Sequence, residues 1–306
     1  MCCSPYNAFM PVIVEKPILE KAKPFLKWAG GKTKLLNDIS ARLPDGLKTG
    51  EIDTYVEPFV GGGAVFFHVA QKFDHLKHFY LIDINQDLIN CYNEVKRNID
   101  TLIDELRSLE TKFLGKRTGR KDLYYEIREQ FNSDHSPAKL IFLNKTCYNG
   151  LYRVNSKGEF NVPFGDYKNP MICDEKNLRN VSKLLKKAKI ICGDFTDSKK
   201  YINNHTFIYL DPPYRPLSAT ASFTSYSKDN FSEQDQIRLA KFCKQIRKTG
   251  AKFLLSNSDP KNENPNDHFF EDHYKKFSIN TVKAARAINC QAFNRGAINE
   301  LIIMNY

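Results

Sequence analysis

The chain of 306 residues contains a single tryptophan and four methionines. It has no uninterrupted apolar run of the about 18 residues that a membrane-spanning helix needs. Its N-terminus, MCCSPYNAFMPVIVEKPILEK, carries no basic segment ahead of a weakly apolar stretch, so secretion is not expected. The eight cysteines include no CxxC pair and no histidine partner at zinc-ligand spacing. They therefore read as reduced thiols of an intracellular, cytoplasmic protein, and no structural metal is expected. Internal repeats and low-complexity tracts are also lacking.

What is present is positive charge on a foldable chain. Lys and Arg outnumber Asp and Glu by 46 to 35, a net +11 spread along the whole length, beside 42% hydrophobic residues. A folded surface of that balance suits a polyanion, nucleic acid before membrane, because no segment forms a basic amphipathic anchor.

Residues 1–23 carry three prolines and no clean periodicity, and read as an extension. From Pro24 the pattern becomes that of an α/β protein. Tyr55 to Val60 reads as a strand, Gly61 to Gly63 as a tight turn, Ala64 to Phe73 as a helix, and His78 to Ile82 as a second strand ending at Asp83. Later apolar runs at 190–192, 207–210, 253–255 and 300–304 alternate with helical patterns such as Ser232 to Lys248. This predicts a Rossmann-like, doubly wound, mostly parallel sheet. Between the halves, residues 88–172 differ: helical and charged at first, then NGLYRVNSKGEFNVPFG, whose Asn155-Ser156-Lys157-Gly158 predicts a β-hairpin turn with Gly158 at positive φ. They read as an insert between two parts of one catalytic domain, 24–87 and 173–306, with the hairpin at about 149–165.

Three stretches carry chemistry. The glycine turn leaves backbone N–H groups and a helix N-terminus open to a ligand, or it serves packing alone. Asp83, at the end of the next strand, is placed to accept bonds from the ribose hydroxyls of a nucleoside-type cofactor or to cap the following helix. In PFLKWAGGKTK, the lone Trp28 stands with Lys27, Lys32 and a Gly-Gly pair, a grouping whose role spacing does not settle. The third stretch is LDPPYRP at 210–216. An exocyclic amine on a heteroaromatic ring is a poor nucleophile because its lone pair is delocalised, and acceptors for its two hydrogens localise it. Asp211 and the carbonyl of Pro212 form such a pair, Pro213 adds no competing N–H, and Tyr214 offers a ring face to a base.

In that order, FLKWAGGK, VEPFVGGGAVFF, LIDIN and YLDPPY resemble the motifs of the α-group DNA adenine N6-methyltransferases, the Dam and DpnM type. The likeness extends to NGLYRVNSKGEFNVPFG, PLSATASFTSY, LLSNS and RGAINELIIMNY. The resemblance implies S-adenosylmethionine as cofactor, no metal, and adenine in duplex DNA as substrate, with GATC as the expected site. It implies cofactor contacts from Trp28, Lys32, Glu57, Pro58, Phe59, Gly61, Gly63, Asp83, Asp194 and Asp211, and a base-flipping catalytic site of Asp211, Pro212, Pro213 and Tyr214. The insert becomes a target recognition domain, with Tyr148, Asn149, Leu151, Arg153 and Asn155 toward DNA and Arg153 reading guanine. A functional pairing with a restriction endonuclease is compatible with this reading. So are two alternatives: a non-catalytic DNA-binding regulator and an RNA adenine methyltransferase. Lesser candidates are KLLKKAK at 183–189, as phosphate contact or solvated helix face, the loop 215–230, and Arg286 and Arg295.

Overall fold

A computed structural model describes residues 21–116, 118–215, 231–285 and 297–306. Residues 1–20 of the expected extension, nearly all of the loop 215–230, and Arg286 and Arg295 lie outside the described residues.

Seven strands form one sheet: β1 (Thr54–Glu57), β2 (His78–Asp83), β3 (Ala188–Cys192), β4 (Thr206–Leu210), β5 (Lys252–Ser258), β6 (Ser278–Ala285) and β7 (Ala297–Met304). Their order is β3-β2-β1-β4-β5-β7-β6, with β7 antiparallel to both its neighbours and the first five strands parallel. The helices, in chain order, are α1 (Leu36–Ala41), α2 (Asp45–Thr49), α3 (Ala64–Lys72), α4 (Gln86–Arg97), α5 (Ile99–Gly115), α6 (Arg120–Asp134), α7 (Pro137–Thr146), α8 (Glu175–Leu185), α9 (Glu233–Lys248) and α10 (Phe269–Tyr274).

The central strands are apolar on both faces because each face is covered. Tyr55, Leu81, Phe207 and Tyr209 enter a core shared with α3 to α8, whereas Val56, Ile82, Ile208 and Leu210 enter a second core under α9 and α10. Such continuous apolar strands are the mark of a doubly covered parallel sheet. β1 ends at Glu57, earlier than the expected Val60, because Pro58 has no N–H to continue the ladder. α9 starts where expected, with the Ser232 side chain accepting from Asp235 N and Asp235 returning a bond to the Ser232 backbone. Residues 21–23 dock on the body: Ala22 is buried and pairs through its backbone with Gln71, and Lys23 does so with Asn177.

In the insert, four helices precede an irregular segment. The expected hairpin is a tight turn whose arms are joined by isolated bridges at Val154–Phe160 and Cys147–Phe164, with Gly158 at φ 85° and its N–H bonded to Asn155 O at 2.9 Å. Asn155 Oδ1 also accepts from Lys157 N and Glu159 N, which fastens the turn from inside. The KLLKKAK stretch spans the end of α8 and the start of β3, with Lys183 in the helix and Lys189 in the strand.

Candidate active site

The strand order reverses between β1 and β4, and a crevice at such a point, beyond the carboxyl ends of the strands, is where open α/β sheets bind ligands. A cavity of about 660 Å³ lies there. All ten expected cofactor residues line it: Trp28, Lys32, Glu57, Pro58, Phe59, Gly61, Gly63, Asp83, Asp194 and Asp211. Pro213 joins them, together with Ile84, Phe195, Phe231 and Arg238, which sequence reasoning did not single out.

The floor is the glycine turn. Gly63 sits at φ 72°, and a Cβ there would stand 2.5 Å from Tyr92 Oη, whose hydroxyl donates to Gly61 O at 3.0 Å. Only glycine satisfies both the angle and the space. Asp83 accepts from Gly61 N through Oδ2 and from Asn85 N through Oδ1, both at 3.0 Å. The cap of α4 is Asn85, whose Oδ1 accepts from Leu88 N. Asp83 thus steadies the glycine turn. Asp194 caps the 3-10 turn Phe195–Tyr201, and both its oxygens are gripped at 2.9 Å by the fork of Arg238. Burial works against its charge, but the Arg238 and Thr196 bonds hold the carboxyl below the ordinary range.

Glu57 is fully buried and accepts from Tyr55 Oη at 2.7 Å. Burial pushes its carboxyl well up. The Tyr55 bond opposes that shift, and the charges of Asp211 and Asp83 add to it.

At the end of β4, every residue of the tetrapeptide but one is tied down. Asp211 Oδ1 lies 2.8 Å from Lys32 Nζ and accepts from Ser256 Oγ at 3.1 Å. Pro213 O accepts from the buried Gln236 at 2.9 Å, and Tyr214 Oη donates to Glu300 Oε2 at 2.7 Å. Arg215, next along, is held by Asp267 and Glu233 over the ring of Phe269. Among the described residues, nothing donates to the carbonyl of Pro212. Burial raises the Asp211 pKa from its ordinary value, and the Lys32 ammonium and the Ser256 hydroxyl oppose that rise. Lys32 is itself buried, donates to Gly30 O at 2.7 Å, and stands 4.7 Å over the Tyr214 ring.

The insert meets this cavity through Trp28, which stacks on Tyr152 with ring centroids 5.1 Å apart. Tyr152 in turn donates to Asp87 of α4 at 2.8 Å. Buried Asn144 of α7 clasps Lys27 N and Lys27 O, each at 2.8 Å, and Gly150 O at 3.0 Å. Asn144→Ala leaves these backbone groups without their partner, and about 3 kcal/mol of stability should be lost in denaturant unfolding. A loss under about 1 kcal/mol would show that other contacts hold the two segments together.

The expected DNA-facing residues divide. Tyr148 is 53% exposed and Asn149 sits at φ 55°. Arg153 is exposed and rests on Asn161, donating to Oδ1 at 2.8 Å. Leu151 packs against the core and Asn155 serves its own turn. No cluster able to hold a metal ion, and no helix long and apolar enough to cross a membrane, occurs among the described residues.

Comparison with known proteins accords with this geometry. Residues 28–288 match the family described as D12 class N6 adenine-specific DNA methyltransferase. The chain is 53% identical over 295 residues to the type II methyltransferase M.MjaIII of Methanocaldococcus jannaschii, covering 94% of this chain and 100% of that one. It is 36% identical over 294 residues to the type II methyltransferase M1.LlaDCHI of Lactococcus lactis subsp. cremoris, covering 93% and 95%. To the DNA adenine methylase of Escherichia coli K12 it is 36% identical over 290 residues, covering 94% and 96%. The seven-stranded mixed sheet is consistent with the fold of methyltransferases that use S-adenosylmethionine. The chain belongs to the D12 class of N6 adenine-specific DNA methyltransferases.

Proposed function

We propose that this DNA adenine methyltransferase takes its methyl group from S-adenosylmethionine and delivers it to an adenine flipped out of duplex DNA, within GATC. The observation that carries the chemistry is the pattern of ties at residues 211–214: a pinned carboxylate, a pinned ring, and one open carbonyl at Pro212 between them.

The cavity fits a nucleoside sulfonium. Its volume falls in the range of about 300–1,000 Å³ usual for small-molecule sites. It joins an acid, Asp83, to a glycine turn and to apolar walls at Phe59 and Ile84. Trp28, Glu57, Pro58, Gly61 and Gly63 shape the wall and floor, and Asp194 contributes by fixing the turn through Phe195. When bound, S-adenosylmethionine supplies an electrophilic methyl. The chain's own work is to prepare the nitrogen that receives it. Asp211 and Pro212 O each accept one hydrogen of the adenine amine and stabilise positive charge as it develops there. Tyr214 stacks under the base, and the Asp211 carboxylate, already accepting one amine hydrogen, stands as an acceptor for the proton the nitrogen sheds. Lys32 holds Asp211 in place and favours its ionised form.

GATC is supported by the resemblance of the insert 88–172 and the loop 215–230, and duplex DNA by the exposed Tyr148 and Arg153 of the insert. To read guanine, Arg153 exchanges Asn161 for the base edge. Arg153→Ala should lose about 10- to 100-fold of discrimination at a guanine position, the equivalent of 1–3 kcal/mol. Uniform weakening on every sequence would reduce Arg153 to a phosphate contact. The name type II methyltransferase on two relatives is compatible with a partner endonuclease for this chain as well.

The deciding experiment supplies labelled S-adenosylmethionine and unmethylated duplex, then maps the product with methylation-sensitive nucleases. Label on the adenine of GATC is expected. A folded protein that leaves DNA unlabelled would sink the reading, whereas label at adenines outside GATC would overturn the site alone.

A further inference from the structure

β7 runs Ile298, Asn299, Glu300, Leu301, Ile302, Ile303, Met304, and Glu300 is its one charged residue, 9% exposed. Placing a carboxylate there is costly unless it does something a neutral apolar residue cannot. Glu300 lies directly across from Ser258 in the antiparallel pair, at the same edge of the sheet as Asp211. Its Oε2 takes the Tyr214 hydroxyl at 2.7 Å.

We propose that Glu300 is a positioning residue: it locks the Tyr214 ring at the angle that brings a stacked adenine amine onto Asp211 and Pro212 O. The inference rests on the proposed role of residues 211–214. A tyrosine ring fixed only at its Cβ end swings about its side-chain torsions. A bond at the phenol end fixes the other end as well. Lys32 faces the same ring at 4.7 Å while bonded to Asp211, so ring, ammonium and acceptor form one assembly whose far anchor is Glu300. The Tyr214 phenol stays protonated, since burial, Asp211 and Glu300 all raise its pKa, and it therefore remains a donor. A carboxylate behind the hydroxyl touches no stacked base. Its loss should accordingly slow the chemical step without weakening DNA binding, because small misplacements of reacting atoms lower rate more than affinity.

The test is a double-mutant cycle on the full chain, read by single-turnover methyl transfer, DNA affinity, and fluorescence of 2-aminopurine at the target position. Glu300→Ala and Tyr214→Phe should each slow transfer by about 10- to 30-fold, the size expected for losing one charge-assisted hydrogen bond. The double variant should be no slower than either single one, and Glu300→Gln, which keeps an acceptor oxygen, should recover most of the rate. DNA affinity should stay within about threefold throughout, and 2-aminopurine should report altered stacking in Glu300→Ala and Tyr214→Phe alike. Additive slowing, or a Glu300→Ala rate within about twofold of the parent, would overturn the proposal. Should Glu300→Ala fail to fold, Tyr214→Phe decides: a parental rate there overturns it too. A parent protein inactive on adenine would instead sink the functional reading itself.

Discussion

Asp211→Asn is expected to lower single-turnover methyl transfer by about 10³-fold while duplex affinity changes by no more than about threefold. The substitution keeps the volume and an oxygen for Lys32 and Ser256, which bond Asp211 at 2.8 and 3.1 Å. It removes the negative charge facing the amine and introduces a donor able to turn toward an amine that itself donates. Asp211→Ala is the less clean probe. It strands the Lys32 ammonium, whose side chain is 4% exposed, without its counter-charge. Breaking a buried pair from one side typically costs about 3–5 kcal/mol. An Asp211→Asn enzyme within about tenfold of the parent rate would show that the acceptor pair is not the source of catalysis.

Lys32→Met should show its effect mainly through pH. Burial raises the Asp211 pKa and Lys32 is the principal influence opposing it, so removing Lys32 moves that pKa further up. In the proposed mechanism activity requires the ionised carboxylate, so the rate should fall as pH drops through the Asp211 pKa. In Lys32→Met, that acid limb should therefore lie at higher pH than in the parent protein. The deficit should be largest at the acid end and narrow as pH rises. Single-turnover rates from pH 5 to 10 measure both limbs. Superimposable limbs would show that Lys32 does not govern the protonation of Asp211.

Much of this site was legible in the sequence because the chain writes it in short contiguous runs. The glycine turn, Asp83 and residues 211–214 each sit at the carboxyl end of an apolar strand, and a strand that is apolar on both faces announces itself. β6 gave no such signal. Ser278–Ala285 reads SINTVKAA, and of Ser278 to Lys283 only Val282 is buried, as befits an edge strand with solvent on one side. The partners of the motif residues were equally invisible. Glu300 looks like the polar start of a strand, Arg238 like one charge on an amphipathic helix, and Ser256 like part of a serine-rich strand end. Each acquires meaning only when the sheet order sets β5 beside β4 with β7 next beyond it, or brings α9 to the Asp194-capped turn that follows β3. No periodicity contains that information, because such contacts join positions far apart in the chain. The hairpin is legible as a turn from Gly158, and antiparallel bridges join its arms at Val154–Phe160 and Cys147–Phe164, although neither arm forms a continuous strand.

Trp28 is a wall of the cavity on one side and the stacking partner of Tyr152 on the other. A ligand that ordered the indole would, through this stack, also order the loop carrying Tyr152, and a molecule that drew on that loop would act back on the indole. Thermodynamic linkage makes such traffic reciprocal: whatever factor the first arrival adds to the affinity of the second, the second returns to the first.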